Sequence, residues 1–272
     1  MKISSNRHRF SWAEKSGIAA LLLALFLGYL HDSYAVIPLL LFLLACLVAP
    51  FCPRCAFFLP LISRGIPGSD GVAITIDDGP SPETTPVLLE LLAKHSLPAA
   101  FFVVGENAAA HPELVKLIVD HGHAIGNHSF RHDHLLMLRS SRRLREDIEH
   151  TQQVLAGLGI RPLLFRPPVG ITNPRLGPVL AELGLEAITF SSRIVDFGNR
   201  NIDHLATRVL RHLQPGAILL LHDILPLDQE KTACWIKEVD QLFAILKKEH
   251  QVVPLAELIG RPVMKVGQTE NS

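Results

Sequence analysis

"VAITIDDGP", residues 72 to 80, runs from β-favouring apolar residues through two adjacent aspartates into a Gly-Pro turn. Val, Ile and Thr favour extended backbone and Gly-Pro breaks it, so the stretch predicts a strand with Asp77 and Asp78 at its C-terminal end. Two like charges in contact disfavour each other's ionisation, and the pair becomes intelligible if a cation or a proton relay separates their roles. A plain turn is the other reading, because Asp, Gly and Pro all suit one. The residues themselves leave both open.

Outward from this stretch, short apolar runs alternate with helical ones. "VAITI" (72 to 76), "AAFFVV" (99 to 104), "HAIGN" (123 to 127), "LLF" (163 to 165), "EAITF" (186 to 190), "AILLL" (217 to 221) and "QVV" (251 to 253) are strand candidates. Between them, segments such as "TTPVLLELLAKH", "HPELVKLIVDHG" and "RRLREDIEHTQQVLAGLG" place apolar residues at i, i+3, i+4 and i+7. Strands separated by helices pair in parallel, which gives an α/β fold. Seven strands between residues 71 and 260 favour a barrel-like sheet. The dinucleotide and phosphate-loop glycine patterns are absent, so a nucleotide cofactor loses its main support.

At 272 residues the chain has ample length for a full core, and its 26 basic residues balance 26 acidic ones. No global polycation draws it to nucleic acid. Four cysteines are too few for a disulfide scaffold, and Cys52 and Cys55 form a single C-x-x-C without a second pair.

The first 50 residues differ sharply from the rest. "GIAALLLALFLGYL" (17 to 30) and "AVIPLLLFLLACLVA" (35 to 49) flank a polar "HDSY". Each run is short for a span of roughly 20 residues, and two tilted helices forming a membrane hairpin is the first reading. A signal peptide ending in "SYA" at Ala35 is the alternative, although a second apolar run follows at once. The expected organisation is a membrane anchor over 1–50, an interfacial linker over 51–70, a soluble domain over 71–260 and a tail over 261–272.

The polar residues fall at strand ends. Asp77 and Asp78 follow the first strand, His128 and His132 the third, Arg166 the fourth, Asp196 the fifth, and His222 ends the sixth. In a parallel barrel those loops emerge on one face, where such folds build active sites. "HSFRH" (128 to 132) spaces two imidazoles at i and i+4, within reach of one ion. With Asp78 they make a three-ligand set that leaves positions open for water and substrate, and Asp77 is then free to act as a base.

"TIDDGP" (75 to 80), "HSFRH", "RPPVG" (166 to 170) and "ILLLHD" (218 to 223), in this order, resemble the motif series of the polysaccharide deacetylases, carbohydrate esterase family 4 with its NodB homology domain. The resemblance implies a distorted (β/α) barrel that removes N-acetyl groups from amino sugars with a divalent metal, usually zinc and sometimes cobalt. It implies Asp77 as catalytic base, Asp78, His128 and His132 as metal ligands, Arg166 as the group orienting Asp77, and His222 as general acid. Asp196 takes the place of the carboxylate that orients the acid. Pro168, Val169, Phe197 and Leu220 fall where the substrate binds. The fourth motif departs: the family's D-x-x-D-W reads "RIVDF" (193 to 197), with Arg193 for an acid and Phe197 for tryptophan. Catalysis is expected to survive and substrate preference to differ from the chitin-type enzymes.

The expected substrate is an N-acetylated sugar, carried on a membrane lipid such as a polyprenyl phosphate. That finer reading rests on the anchor and on "LRSSRRLR" (138 to 145), whose Arg139, Arg142 and Arg143 share a helical face suited to a phosphate or anionic headgroup. A solvated helix face is the plainer account of the same residues. Lys2, Arg7, Arg9 and Lys15 precede the first apolar run, Arg54 and Arg64 follow the second, and "HDSY" carries no Lys or Arg. The positive-inside rule then predicts a multi-pass inner-membrane protein with a cytoplasmic catalytic domain. An outward-facing peptidoglycan or chitin-type deacetylase, and a silent carbohydrate-binding protein, are the competing readings.

Overall fold

The computed structural model describes residues 10–52, 55–193, 198–211 and 213–267. Two apolar helices come first, α1 (Trp12–Leu30) and α2 (Val36–Val48). The domain follows with β1 (Ala73–Asp77), α3 (Thr85–Lys94), β2 (Ala99–Val103), α4 (Gly105–Ala110), α5 (Pro112–Asp120) and β3 (Ala124–Asn127). Next come α6 (Ser141–Gly157), β4 (Ile160–Pro162), β5 (Leu164–Phe165), α7 (Leu176–Leu183), β6 (Glu186–Ala187) and β7 (Ser192–Arg193). Last are α8 (Leu205–Arg211), β8 (Ile218–His222), α9 (Thr232–Glu249), α10 (Leu255–Ile259) and β9 (Met264–Val266).

Seven strands form one parallel sheet in the order β6-β5-β3-β2-β1-β8-β7. β1 is central, so Asp77 has β2 on one side and β8 on the other, in register with Phe102 and His222. The sheet is curled and open between β6 and β7, which is the form the distorted barrel takes. One expected strand differs: 251–253 contributes only an isolated bridge from Val252 to Val72, and the two-residue β7 takes the seventh place. The antiparallel β4–β9 ribbon pairs Ile160 with Val266 and had no counterpart in the sequence pattern. Residues on both flanks of 71–260 also pack against it. Phe58 and Leu59 are buried, Ile62 bridges to Ile188 beside the sheet, and Met264 pairs with Pro162 in the β4–β9 ribbon.

Alternation along the strands sorts the side chains into two layers. Ile74, Ile76, Phe101, Val103, Leu219 and Leu221 face outward and pack under the helices, against Leu88, Leu92, Val115, Trp235 and Phe243. Residues of the opposite phase face the interior. There Ala73, Ala100, Phe102 and Ile218 meet Leu255, Leu258 and Ile259 of α10, which closes the N-terminal end of the sheet with apolar packing. Thr75, Asp77 and His222 share that inward phase nearer the C-terminal end. The interior is therefore plugged below and polar above.

α1 and α2 lie against each other as an antiparallel pair: a Cβ on Gly17 would sit 3.0 Å from the Phe42 ring, and one on Gly28 3.4 Å from Ala35. Ser11 and Glu14 close the first turn of α1 as a capping box. Outside that contact the pair exposes its leucines, including Leu22, Leu25, Leu41 and Leu47. Trp12–Leu30 and Asp32–Phe51 are each long and apolar enough to cross a membrane, with mean hydropathies of 1.5 and 2.5. The backbone amide of Ala13 donates to the carbonyl of Phe57 at 2.8 Å, tying the base of the pair to the domain.

Candidate active site

Arg166, following β5, crosses the polar upper interior and organises it. It is 1% exposed. Its Nη1 donates to Asp77 Oδ1 at 2.7 Å and to Thr75 Oγ1 at 2.8 Å, its Nη2 donates to the Thr189 carbonyl at 3.1 Å, and the guanidinium lies 4.1 Å above the Phe102 ring. Thr75 Oγ1 donates its hydrogen bond to the Leu219 carbonyl at 2.5 Å, so its lone pairs are free to accept from Arg166. Phe102 can lie flat there because its neighbour in register is Gly126, where a Cβ would come 2.3 Å from the ring. Burial pulls the Arg166 pKa down and Asp77 pulls it back up. A guanidinium stays charged in such a setting.

With Oδ1 held by Arg166, Asp77 presents Oδ2 to His128, whose Nε2 is 3.7 Å away. His128 is almost fully buried, and its Nδ1 lies 2.8 Å from the Arg166 carbonyl. A carbonyl only accepts, so Nδ1 carries a hydrogen, and Nε2 is the nitrogen turned toward Asp78, the one a cation would meet. Asp78 Oδ1 is 3.4 Å from that nitrogen and 3.2 Å from Nε2 of His132. Ligand atoms of Asp78, His128 and His132 all lie within 4.8 Å of one another.

The loops that bring them together are held in uncommon backbone. Asp78, Ser129, His132 and Val169 have φ of 75°, 68°, 50° and 52°, a concentration of left-handed non-glycine residues typical of functional sites. "HSFRH" is a loop in which Asn127 Oδ1 accepts from Ser129 N at 2.9 Å, Ser129 Oγ from His132 N at 3.1 Å, and Asp147 from Phe130 N at 2.7 Å. Asn107 Nδ2 donates to the Asp78 carbonyl at 3.0 Å.

The electrostatics fit a cation. Burial works against charge on Asp78, but His128 and His132 outweigh it and hold its pKa well below the carboxylate range. Burial likewise opposes charge on His128, and Asp77 and Asp78 outweigh it, so that pKa is raised. His132 is pushed down to about 4, first by burial and then by His128. Asp78 Oδ1 is buried without a hydrogen-bond donor. An oxygen left in that state beside two imidazole nitrogens is a donor set that a divalent cation completes.

Asp77, Asp78, His128, His132, Arg166, Val169, Leu220 and His222 line one cavity of about 560 Å³. Pro167 lines it too, while the expected Pro168 is buried within the turn that presents the 41% exposed Val169. Asp196 and Phe197 lie outside the described residues. His222, at the end of β8, lies beside Asp77 in the ladder. Sequence reasoning passed over Thr75, although it stands two residues before Asp77 on the same strand face. It also left Asp223 without a task. Asp223 is fully buried, accepts from Thr84 Oγ1 at 2.6 Å and Thr85 Oγ1 at 2.5 Å, and ties its amide to the Asp77 carbonyl at 2.8 Å. Burial raises its pKa to about 6. Arg131, His134 and Arg200 at the cavity rim carried no sequence signal beyond their charge.

The family model for polysaccharide deacetylase matches residues 64–188. A chitooligosaccharide deacetylase of Bradyrhizobium is 31% identical over 221 residues, 74% of this chain and 98% of its own length. The peptidoglycan-N-acetylglucosamine deacetylase PgdA of Listeria monocytogenes is 35% identical over 191 residues, 70% of this chain and 39% of its own. The crystal structure of the Bc1960 peptidoglycan N-acetylglucosamine deacetylase superposes with a TM-score of 0.67 at 30% identity, covering 75% of this chain and 94% of that one. Similarity along nearly the whole of a relative, joined to the same curled sheet, leaves one assignment: the chain belongs to the polysaccharide deacetylase family.

Proposed function

We propose that the protein is a membrane-anchored, divalent-metal-dependent hydrolase that removes the N-acetyl group of an amino sugar. The observation that carries this is the buried, donorless Asp78 Oδ1 facing two imidazole nitrogens, with the Asp77 carboxylate beside them. Asp78, His128 and His132 would hold the cation, zinc by family resemblance with cobalt or another divalent ion as an alternative. When bound, that ion supplies a polarised acetamide carbonyl and a water acidified toward a pKa of about 7.

Asp77 Oδ2 takes the proton of the attacking water. Arg166 fixes the carboxylate through Oδ1, so the basic oxygen faces the site at no cost in reorganisation. An amine leaves poorly unless protonated, and His222 delivers a proton to its nitrogen. A backbone N–H near Val169 would help hold the oxyanion, and by family resemblance Asp196 has the role of the carboxylate that orients the acid.

Relatives named for chitooligosaccharide and for peptidoglycan support a substrate among N-acetylated amino sugars. The finer reading is a sugar carried on a membrane lipid such as a polyprenyl phosphate, met at the inner membrane by a cytoplasmic domain. The two apolar helices support the membrane, and the lysines and arginines flanking them support the sidedness. The peptidoglycan relatives favour the outward-facing polymer deacetylase as the second reading. Acetate release from N-acetylglucosamine oligomers tests the common core of both. A chelator should abolish release and added zinc or cobalt should restore it; undiminished release in chelator contradicts the proposal.

A further inference from the structure

Residues 133–139 lead from His132 to α6, and their leucines divide into two sets. Leu136 and Met137 are buried in one apolar cluster with Ala49 and the partly buried Ala13 and Cys46, at the base of the α1–α2 pair. Leu135 and Leu138 point away from it and are 54% and 76% exposed. Immediately after them come Arg139, Arg142 and Arg143, all with exposed side chains. Arg131 lines the active-site cavity and also a neighbouring depression that Arg139 and Arg143 line. The segment thus runs from a metal-ligand candidate to the place where the apolar helices leave the domain.

Exposed leucines beside arginines are the composition of a segment that lies in a membrane interface, with apolar side chains in the headgroup–acyl boundary and cations at lipid phosphates. The acids present do not cancel this. Asp133 pairs with Arg139 at 2.9 Å, and Glu146 with Arg142 at 2.7 Å and with Arg143 at 3.9 Å, all at the surface. Such exposed pairs are weak and exchange partners readily. We infer that residues 133–143 form a membrane-contact face: Leu135 and Leu138 enter the bilayer surface, and Arg139, Arg142 and Arg143 meet anionic lipid headgroups. The inference rests on the reading of α1 and α2 as membrane-embedded. The shared cluster then sets this loop at the level where the pair emerges from the bilayer. Through Arg131 and His134 the cavity mouth opens beside that surface, so the site takes an N-acetylated sugar presented at headgroup level, whichever side of the membrane the domain occupies.

The test is hydrogen exchange of the full-length protein in nanodiscs of phosphatidylethanolamine and phosphatidylglycerol, in phosphatidylcholine nanodiscs, and in detergent. Amides of residues 133–139 should exchange about tenfold more slowly in the anionic discs than in detergent, while α9 is unchanged. Leu135→Ser/Leu138→Ser and Arg142→Glu/Arg143→Glu should each remove that protection without altering α9. Protected helices α1 and α2 with an unprotected loop overturn the contact face. Unprotected α1 and α2 overturn the membrane reading beneath it. Equal protection in phosphatidylcholine overturns the role of the arginines. Protection in detergent that grows with protein concentration marks a second copy of the chain as the occupant, and overturns the lipid.

Discussion

At the scale of single residues, the site turns on how buried charges are partnered. Arg166 and Asp77 are 1% and 4% exposed, and each is tolerable inside only because the other is there. His123 shows the opposite solution, remote from the cation ligands. It is 6% exposed, packs at 5.7 Å from the Phe101 ring, and its Nδ1 accepts from the Ala99 amide at 3.3 Å. Burial, and then His121, lower its pKa from 6.5 to about 4. A histidine kept neutral by the fold contributes stability above its unfolded pKa and loses it as pH falls through the window from 6.5 to 4. The loss amounts to about 3 kcal/mol at the acid end. His123→Gln keeps an acceptor and cannot titrate, so its denaturation midpoint should fall less than wild type between those pH values. Parallel curves contradict this account of His123.

At the scale of elements, the loop between β1 and α3 is fixed from β8. Gly79 lies so close to Asp223 that an added Cβ would stand 2.1 Å from its Oδ2 and 2.8 Å from its Cγ. Gly79→Ala must therefore displace a fully buried carboxylate held by two threonines, at a cost of about 1–3 kcal/mol. It should also weaken divalent-cation binding, since Asp78 rides on the same loop. Unchanged stability by denaturation would contradict the packing described here. This coupling was not legible in the sequence, because Asp223 is 144 positions from Gly79 and only register brings them together. What was legible had strong local physics. Of the five-residue strands, β2 is apolar throughout, β8 is apolar up to His222 and β1 apart from Thr75 and Asp77, and the amphipathic helices keep their period. β6, with two residues, falls inside the apolar "EAITF" run, whereas the two-residue β7 is set by its neighbour in the sheet and leaves almost no pattern. "HSFRH" and "TIDDGP" were readable as chemistry because both are placed at strand ends. Thr75, Gly126 and Phe102, which hold Arg166, read as ordinary strand residues until the sheet aligns them.

At the scale of the whole molecule, a polar-topped α/β domain is joined to two apolar helices whose large side chains are exposed over most of their length. Charge flanking those helices predicts that both ends remain in the cytoplasm. A fluorescent protein that matures only there, fused after Ser272, should be bright, and an alkaline phosphatase fusion at the same point should be inactive. The reverse pair of results contradicts the predicted sidedness and raises the cell-wall polymer above the lipid-linked sugar. The central claim, that one carboxylate holds the cation while its neighbour does the chemistry, is tested on either side of the membrane by metal content measured beside acetate release. Asp77→Asn should retain about one divalent ion per chain while turnover falls by roughly 10²–10⁴-fold, the range of a lost general base. His128→Ala should lose both the ion and the activity. An Asp77→Asn protein that turns over normally, or a metal-free His128→Ala protein that remains fully active, would contradict it.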